Sequence, residues 1–284
     1  MNIFKALFGG KVETEEEKAR NATENQFDMF KYDGVKALKT GQAEYAVKCF
    51  AKALEISDDP EVRDYLSRAL IQVGDMPAAM EQLEKLAEAE PDNLRILTMM
   101  ARVAYMEEDY DKMADTCDKA LELDGENTDA CYLRAQAANG QNDPSKAVEM
   151  LTKAIGINED FGDAYLLRAK TWLKQGEIAK ADEDAERLLQ QHDDNEDVLM
   201  LKAQIEKAKG NGDEAVAYYG KVIDVNPFFA DAFRERAAVK MAKGDTAGAE
   251  EDLRQAEEIN PTADNENIER ELNQKYKDMN PYGF

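Results

Sequence analysis

Small residues return along this chain at a nearly constant interval, and that interval limits the folds open to it. One series steps by 33 residues once and by 34 thereafter: Gly34, Ser67, Ala101, Ala135, Ala169, Ala203 and Ala237. Two further series keep the same steps: Ala46, Ala79, Met113, Ala147, Ala181, Ala215 and Ala249, then Ala53, Leu86, Ala120, Ala154, Leu188, Val222 and Ala256. A period of this length indicates tandem copies of one supersecondary unit.

Each copy has the pattern of two helices joined by a tight turn. The turn between the first two series carries Gly41, Gly74, Gly176, Gly210 and Gly244, with Glu108 and Asn142 at the equivalent places of two repeats. Helix-breaking residues follow the third series: Pro91, Pro227 and Pro261, or Asp58, Gly125, Glu159 and Asp193. Small residues let helix axes approach to about 8 Å. We therefore predict seven helical hairpins over residues 27–262.

This pattern resembles the tetratricopeptide repeat family over residues 27–262. The resemblance implies an all-α fold, an α-solenoid in which helix-turn-helix hairpins form a right-handed superhelix and the first helices line a concave groove. Three residues depart from the family pattern: Arg63, Cys131 and Glu206 stand where a large apolar side chain is preferred. Looser or shifted helix interfaces are expected at those places.

The two ends of the chain differ from the repeats. Residues 1–26 form an N-terminal extension whose stripe of Ile3, Phe4, Leu7 and Phe8 could dock on a partner, a membrane surface or the chain's own groove. The acidic run Glu13 to Glu17 is expected in a linker or a frayed helix. Residues 263–284 are predicted to form a capping helix and tail, with apolar Ile268, Leu272, Tyr276 and Met279 on one face.

The composition of the chain argues against some classes of partner. The chain has 60 acidic and 36 basic residues among 284, a net charge of -24. Nucleic acid is not expected as a partner, because binding a phosphate backbone requires a basic surface. No apolar run approaches the roughly 20 residues of a membrane span. Without a signal peptide pattern, a cytoplasmic protein is expected, and the three cysteines are expected to be reduced, buried and structural.

No catalytic motif is recognisable. The single histidine, His192, cannot by itself form a metal cluster or a conventional triad. The sequence contains no P-loop, dinucleotide-binding or metalloprotease motif, so no enzyme activity, metal or cofactor is predicted. The inward-facing arginines of the repeats are predicted to be structural. We expect ion pairs within repeats between Arg168 and Asp184 and between Arg236 and Asp252, with Arg134 at an equivalent inward position.

The first helices offer the candidate binding site. Helical spacing predicts which of their side chains face away from the hairpin core, and these are rich in bases, with Asp64 as the main acidic exception. The candidate groove residues are Lys31, Arg68, Arg95, Arg102, Tyr105, Tyr132, Gln136, Lys170, Lys174, Gln204 and Arg234. Bases beside apolar side chains suit an acidic peptide or a C-terminal carboxylate. An ordinary solvated helix surface is the competing interpretation.

Two functions remain open. The leading hypothesis is a non-catalytic scaffold or adaptor that binds a partner protein or peptide in the groove. The alternative is a chaperone-like assembly factor that shields a client segment. Lys31 matches one position of a chaperone-tail clamp known in the family, but Val35 replaces the asparagine which that clamp needs, so that ligand is not predicted. Self-association into a homo-oligomer is also left open.

Overall fold

The computed structural model describes residues 14–191 and 193–261, and within these ranges the chain is all-helical with 14 helices. The described chain divides after Asn142 into two compact units, here called unit 1 and unit 2. Several predicted features lie outside the described residues: the N-terminal stripe of Ile3, Phe4, Leu7 and Phe8, the loop histidine His192, and the capping helix and tail of residues 263–284.

Six of the seven predicted hairpins lie wholly within one unit. Unit 1 contains α1 (Glu15–Lys39), α2 (Ala43–Ile56), α3 (Pro60–Val73), α4 (Met76–Ala89), α5 (Leu94–Met106), α6 (Tyr110–Leu123) and α7 (Thr128–Gly140). Unit 2 contains α8 (Pro144–Ile157), α9 (Gly162–Lys174), α10 (Ile178–Gln191), α11 (Glu196–Lys209), α12 (Gly212–Val225), α13 (Ala230–Ala242) and α14 (Thr246–Ile259). Each helix packs on the next one within its unit. Tandem hairpins stacked in this way confirm the predicted solenoid fold class.

The first helix is longer than its repeat requires. The expected boundary at residues 26 and 27 falls inside α1, which begins at Glu15. Thr14 caps this helix through a reciprocal pair of hydrogen bonds with Glu17, and Glu15, Glu16 and Glu17 place negative charge at its positive end. Residues 14–17 of the acidic run are therefore the cap and first turn of a regular helix.

The turn inside each hairpin requires a left-handed backbone. The five turn glycines have φ between 74° and 87°, which costs glycine little. Glu108 and Asn142 occupy the same place in their repeats and adopt φ of 56° and 57°. The turn geometry therefore holds in all seven repeats, with or without glycine.

All three small-residue series are buried, as the period predicted. The departures from the family pattern are accommodated in different ways. Cys131 is fully buried, as are Cys49 and Cys117, and burial raises the pKa of the Cys117 thiol to about 12. Arg63 donates to Asp58 at 2.8 Å and to Gln82 at 2.7 Å.

The two predicted ion pairs inside repeats are confirmed. Arg168 donates two hydrogen bonds to Asp184, at 2.9 and 2.7 Å, and Arg236 donates two to Asp252 at the same distances. Arg134 faces inward as expected, but it binds Asp118 of the preceding repeat at 2.8 Å. Its Nη1 is buried without a hydrogen-bond partner among the described residues.

Lys202 of the sixth repeat, which is at the position equivalent to Arg168 and Arg236, lies in a buried charged cluster with carboxylates of the fifth and sixth repeats. Lys202, only 5% exposed at its side chain, contacts Asp182 at 2.5 Å and both Glu186 and Glu206 at 3.2 Å. Burial lowers the pKa of Lys202, but its hydrogen bonds to these carboxylates outweigh that effect and raise the pKa.

Glu206 stands where the family pattern has a large apolar side chain, and the neighbouring Ile205, which is fully buried, supplies that side chain.

Glu206 is held ionised by its neighbours. Burial raises the pKa of Glu206, but hydrogen bonds from Asn211 at 2.7 Å, Lys209 at 2.9 Å and Lys202 lower it to about 2. Because the folded pKa lies below the ordinary value of 4.5, this carboxylate stabilises the fold above pH 4.5. That contribution is lost as the pH falls from 4.5 through 2.

Glu206→Gln should therefore flatten the pH dependence of stability in this window. We expect the fall in the urea midpoint between about pH 4.5 and pH 2 to be smaller in this variant than in the wild type. Glu122→Gln, which removes an exposed carboxylate of α6, is the matched control and should keep the wild-type slope. Equal slopes for the wild type and Glu206→Gln would contradict the assignment.

Candidate partner-binding surface

Unit 1 places the first helices α1, α3, α5 and α7 side by side. Their exposed side is called here the first-helix face of unit 1. It carries seven of the predicted groove residues: Lys31, Arg68, Arg95, Arg102, Tyr105, Tyr132 and Gln136. Tyr132 and Gln136 are partly buried, whereas Tyr105 is 45% exposed and packs edge-on against Tyr110.

One carboxylate organises the middle of this face. Asp64, which is 9% exposed, accepts a contact from Arg68 at 2.7 Å and another from Arg95 at 2.6 Å. Both arginines remain about half exposed. Since two guanidinium groups share one carboxylate, the group as a whole keeps one positive charge.

A cleft of about 570 Å³ opens beside this group, between α5 and the start of α7. The end of Arg102, 57% exposed, lies 3.5 Å from Asp129, a distance too long for a strong hydrogen bond. Arg95, which is 51% exposed, lines the same cleft, so two partly exposed arginines surround one space. The cleft is lined by Leu94, Arg95, Thr98, Met99, Arg102, Asn127, Thr128 and Asp129.

Unit 2 has a comparable first-helix face on α9, α11 and α13. It carries the other four predicted residues: Lys170, Lys174, Gln204 and Arg234. Lys170 lies 3.5 Å from Asp197, which reproduces the loose Arg102–Asp129 contact two repeats later. Lys174 is exposed and makes no ion pair with another described residue. Gln204 is partly buried.

The guanidinium group of Arg234 is already occupied by contacts within the chain. Its side chain is 16% exposed and donates to Asp231 at 2.8 Å and to the backbone carbonyl oxygen of Asn260 at 2.8 Å. This arginine ties the start of α13 to the end of α14. A structural role therefore explains its position on the face.

Sequence reasoning missed four carboxylates on these faces. Each belongs to the next first helix along the chain and pairs with a base of the preceding one. The hydrogen bond from Lys31 to Glu61, at 2.7 Å, raises the pKa of Lys31 and lowers that of Glu61. The four pairs are Lys31–Glu61, Arg102–Asp129, Lys170–Asp197 and Lys207–Glu235. The faces are thus less basic than a list of first-helix bases indicates.

No group of three or more histidine, cysteine, aspartate or glutamate side chains within residues 14–191 and 193–261 is arranged to hold a metal ion. Over the same ranges, no helix is both long enough and apolar enough to cross a membrane.

The stacked hairpins and their exposed first helices define a helical-repeat protein of the solenoid class. Residues 38–246 match the family model described as the N-terminal ARM repeat of tetratricopeptide repeat protein 21. The chain belongs to the tetratricopeptide repeat family. Proteins of this family are generally non-catalytic scaffolds for protein interactions. No curated protein sequence matches the chain.

Solved structures share the fold at low sequence identity. A tetratricopeptide repeat protein from Parabacteroides merdae is 16% identical, with a TM-score of 0.72 over 87% of this chain and 97% of that one. PilW, described as a type IV pilus biogenesis factor, is 18% identical, with a TM-score of 0.66 over 72% and 96%. YrrB, described as having an unusual peptide-binding site, is 20% identical, with a TM-score of 0.53 over 66% and 97%. At these identities the likeness concerns the fold alone.

Proposed function

We propose that this protein is a non-catalytic scaffold that binds a segment of a partner protein on its first-helix faces, and that the segment bound by unit 1 carries a carboxylate. The observation that supports this most is the cleft between α5 and α7. Arg95 and Arg102 face it while about half exposed, and Leu94 and Met99 offer apolar contacts beside them.

A carboxylate fits this cleft for a physical reason. Hydrogen bonds from arginine to a carboxylate are short and strong, and two donors can bind one group. Asp129 sits 3.5 Å from Arg102 and is 62% exposed, so a ligand oxygen can displace it at little cost. The acidic side chain of a peptide and a C-terminal carboxylate share this chemistry. The peptide-binding site described for YrrB, which has the same fold, is compatible with this use of the repeat.

Charge reversal in the cleft tests the proposal. We expect Arg95→Glu/Arg102→Glu to weaken binding of the captured partner at least about tenfold, because each lost charge-assisted hydrogen bond costs roughly 1.5–3 kcal/mol. The measurement is affinity capture with quantitative mass spectrometry, followed by titration of the captured partner. Lys119→Glu/Lys153→Glu, which reverses two exposed lysines on second helices, is the matched control.

The outcomes separate the parts of the proposal. Identical partner sets for the wild type and the Arg95/Arg102 variant would contradict the cleft as the binding site. A partner whose affinity is unchanged when its acidic residues are replaced by amides would contradict the carboxylate. Capture of no partner by the wild type would contradict the scaffold itself.

An assembly factor that shields an apolar client segment is the second candidate. It is supported by Tyr105 and Met106, which are 45% and 57% exposed at the end of α5. This function requires suppression of aggregation of an unfolded client at stoichiometric ratios. Tight binding to one defined partner without such suppression would favour the scaffold.

A further inference from the structure

The first helix has a segment that its own hairpin does not cover. α1 has 25 residues, whereas every other described helix has 13 or 14. Since α2 has 14 residues, it can cover only a similar length of α1, here about the last 13 residues from Phe27 onward. The remaining residues, Glu15–Gln26, are called here the overhang; all are exposed except Asn21, which is partly buried. At 1.5 Å per residue the overhang is about 18 Å long.

A helix as short as the overhang has little stability of its own. Isolated helices shorter than about 12–15 residues are marginal in water, and most helical stability in proteins comes from packing. The hairpin next to the overhang also exposes large apolar side chains. Met29, Tyr32 and Tyr45 are 50%, 68% and 51% exposed. The overhang and the exposed apolar side chains of its hairpin therefore leave surface available for packing against another helix.

One side of α1 carries acidic and basic residues at both ends and apolar residues in the middle. Residues at helical spacing on one side are Glu15, Lys18, Ala22, Met29, Asp33 and Lys36, with polar Asn25 and Gln26 between Ala22 and Met29. From one end of the helix to the other the stripe is therefore acidic, basic, small apolar, polar, large apolar, acidic and basic. A stripe with this order is complementary to itself when reversed.

We propose that two copies of this chain associate through their α1 helices, packed antiparallel about a twofold axis between residues 25 and 26. In this register residues whose numbers sum to 51 lie opposite each other. Glu15 then faces Lys36 of the second copy, Lys18 faces Asp33, and Ala22 receives Met29. A twofold contact uses the same surface patch on both copies, so each residue of the stripe must find its counterpart within the stripe, and here the remaining pair at the axis is Asn25 with Gln26.

The alternatives fit the same charges less well. Parallel packing in register sets Glu15 against Glu15 and Lys36 against Lys36, and like charges across an interface are costly. Within one copy, the pair between Lys18 and Glu15 is 54% and 91% exposed, so exchanging it for contacts across the interface costs little. The net charge of -24 repels two copies in general, so association depends on a local patch of this kind.

A charge swap on the full chain tests the register. We expect the wild type to sediment at twice 31.9 kDa at micromolar concentration. Glu15→Lys and Lys36→Glu should each raise the dissociation constant at least about tenfold, because each places like charges together at two symmetric contacts. The double variant Glu15→Lys/Lys36→Glu restores opposite charges and should return to within about threefold of the wild type.

A second pair of variants is independent of these charges. Ala22→Glu adds a charge at the centre of the proposed contact, whereas Thr23→Glu adds one about 100° around the same exposed turn. Circular dichroism should show equal helix content in both. We expect Ala22→Glu to be monomeric and Thr23→Glu to remain dimeric.

Three results would overturn the proposal. They are a monomeric wild type up to 100 µM, a dimer that the double swap fails to restore, and equal effects of Ala22→Glu and Thr23→Glu. None of them bears on partner capture by the first-helix faces, so this proposal and the scaffold function can fail separately.

Discussion

Replacing Lys202 with methionine is expected to lower the free energy of unfolding of unit 2 by about 3 kcal/mol. The ammonium group is almost fully buried and contacts Asp182, Glu186 and Glu206. Methionine keeps the length of the side chain but leaves these carboxylates without their shared cation. Because Lys209 still contacts Asp182 and Glu206, the expected loss of stability is near the lower end of that seen when one member of a buried ion pair is removed.

The controls for this variant separate charge from packing. Lys209→Met removes a cation that is 28% exposed, and it should cost only about 1 kcal/mol. Lys202→Met/Glu206→Met removes both members of the buried pair and should recover part of the loss, because an apolar pair needs no partner charge. Hydrogen exchange of α10 and α11 provides the measurement, since repeat proteins often do not unfold in two states. An unchanged exchange rate in Lys202→Met would contradict a stabilising cluster.

Gly34→Ala should lower stability by about 2 kcal/mol, although alanine is the better helix former. A methyl group at Gly34 would lie 2.6 Å from a ring carbon of Phe50. Phe50 is fully buried and stacked on Tyr65 at 5.6 Å between ring centroids, so it has little room to move. The clash therefore outweighs the gain in helix propensity of about 1 kcal/mol.

Gly156→Ala is the matched control for this prediction. Gly156 is exposed in α8, and a methyl group there meets no atom within 4 Å. The same substitution should thus raise stability by about 0.5–1 kcal/mol. Urea unfolding of both variants measures the difference, and Phe50→Leu in the Gly34→Ala background should recover part of the loss by removing the ring. Two stabilised variants would show that α1 and α2 are not in close contact at Gly34.

The periodic features of the fold were predictable because they recur in every repeat. The left-handed turns at Glu108 and Asn142 follow from their alignment with five glycines, and the pairs of Arg168 with Asp184 and of Arg236 with Asp252 follow from facing positions in one hairpin. Residues that depart from the repeat pattern were harder to interpret from the sequence. Glu206 breaks the apolar pattern, and only the packed structure shows that its charge is satisfied by Lys202, Lys209 and Asn211.

Contacts between repeats were predicted least well. Arg134 binds Asp118 of the preceding repeat because the relative placement of consecutive hairpins brings them together, and no spacing within one repeat reveals this. The pairing of Arg102 with Asp129 was missed for the same reason. Before residue 27 a linker and a frayed helix were both left open, since the overhang carries no apolar periodicity and helix there depends on the cap at Thr14.

The ion pairs on the first-helix faces give the proposed binding of a carboxylate the character of an exchange reaction. In the proposed binding mode a ligand carboxylate at Arg102 competes with Asp129, so its affinity depends on the difference between two carboxylates for one guanidinium. Dissolved salt screens the incoming group and the resident one alike. The affinity of such a site is accordingly less sensitive to ionic strength than its number of positive charges implies.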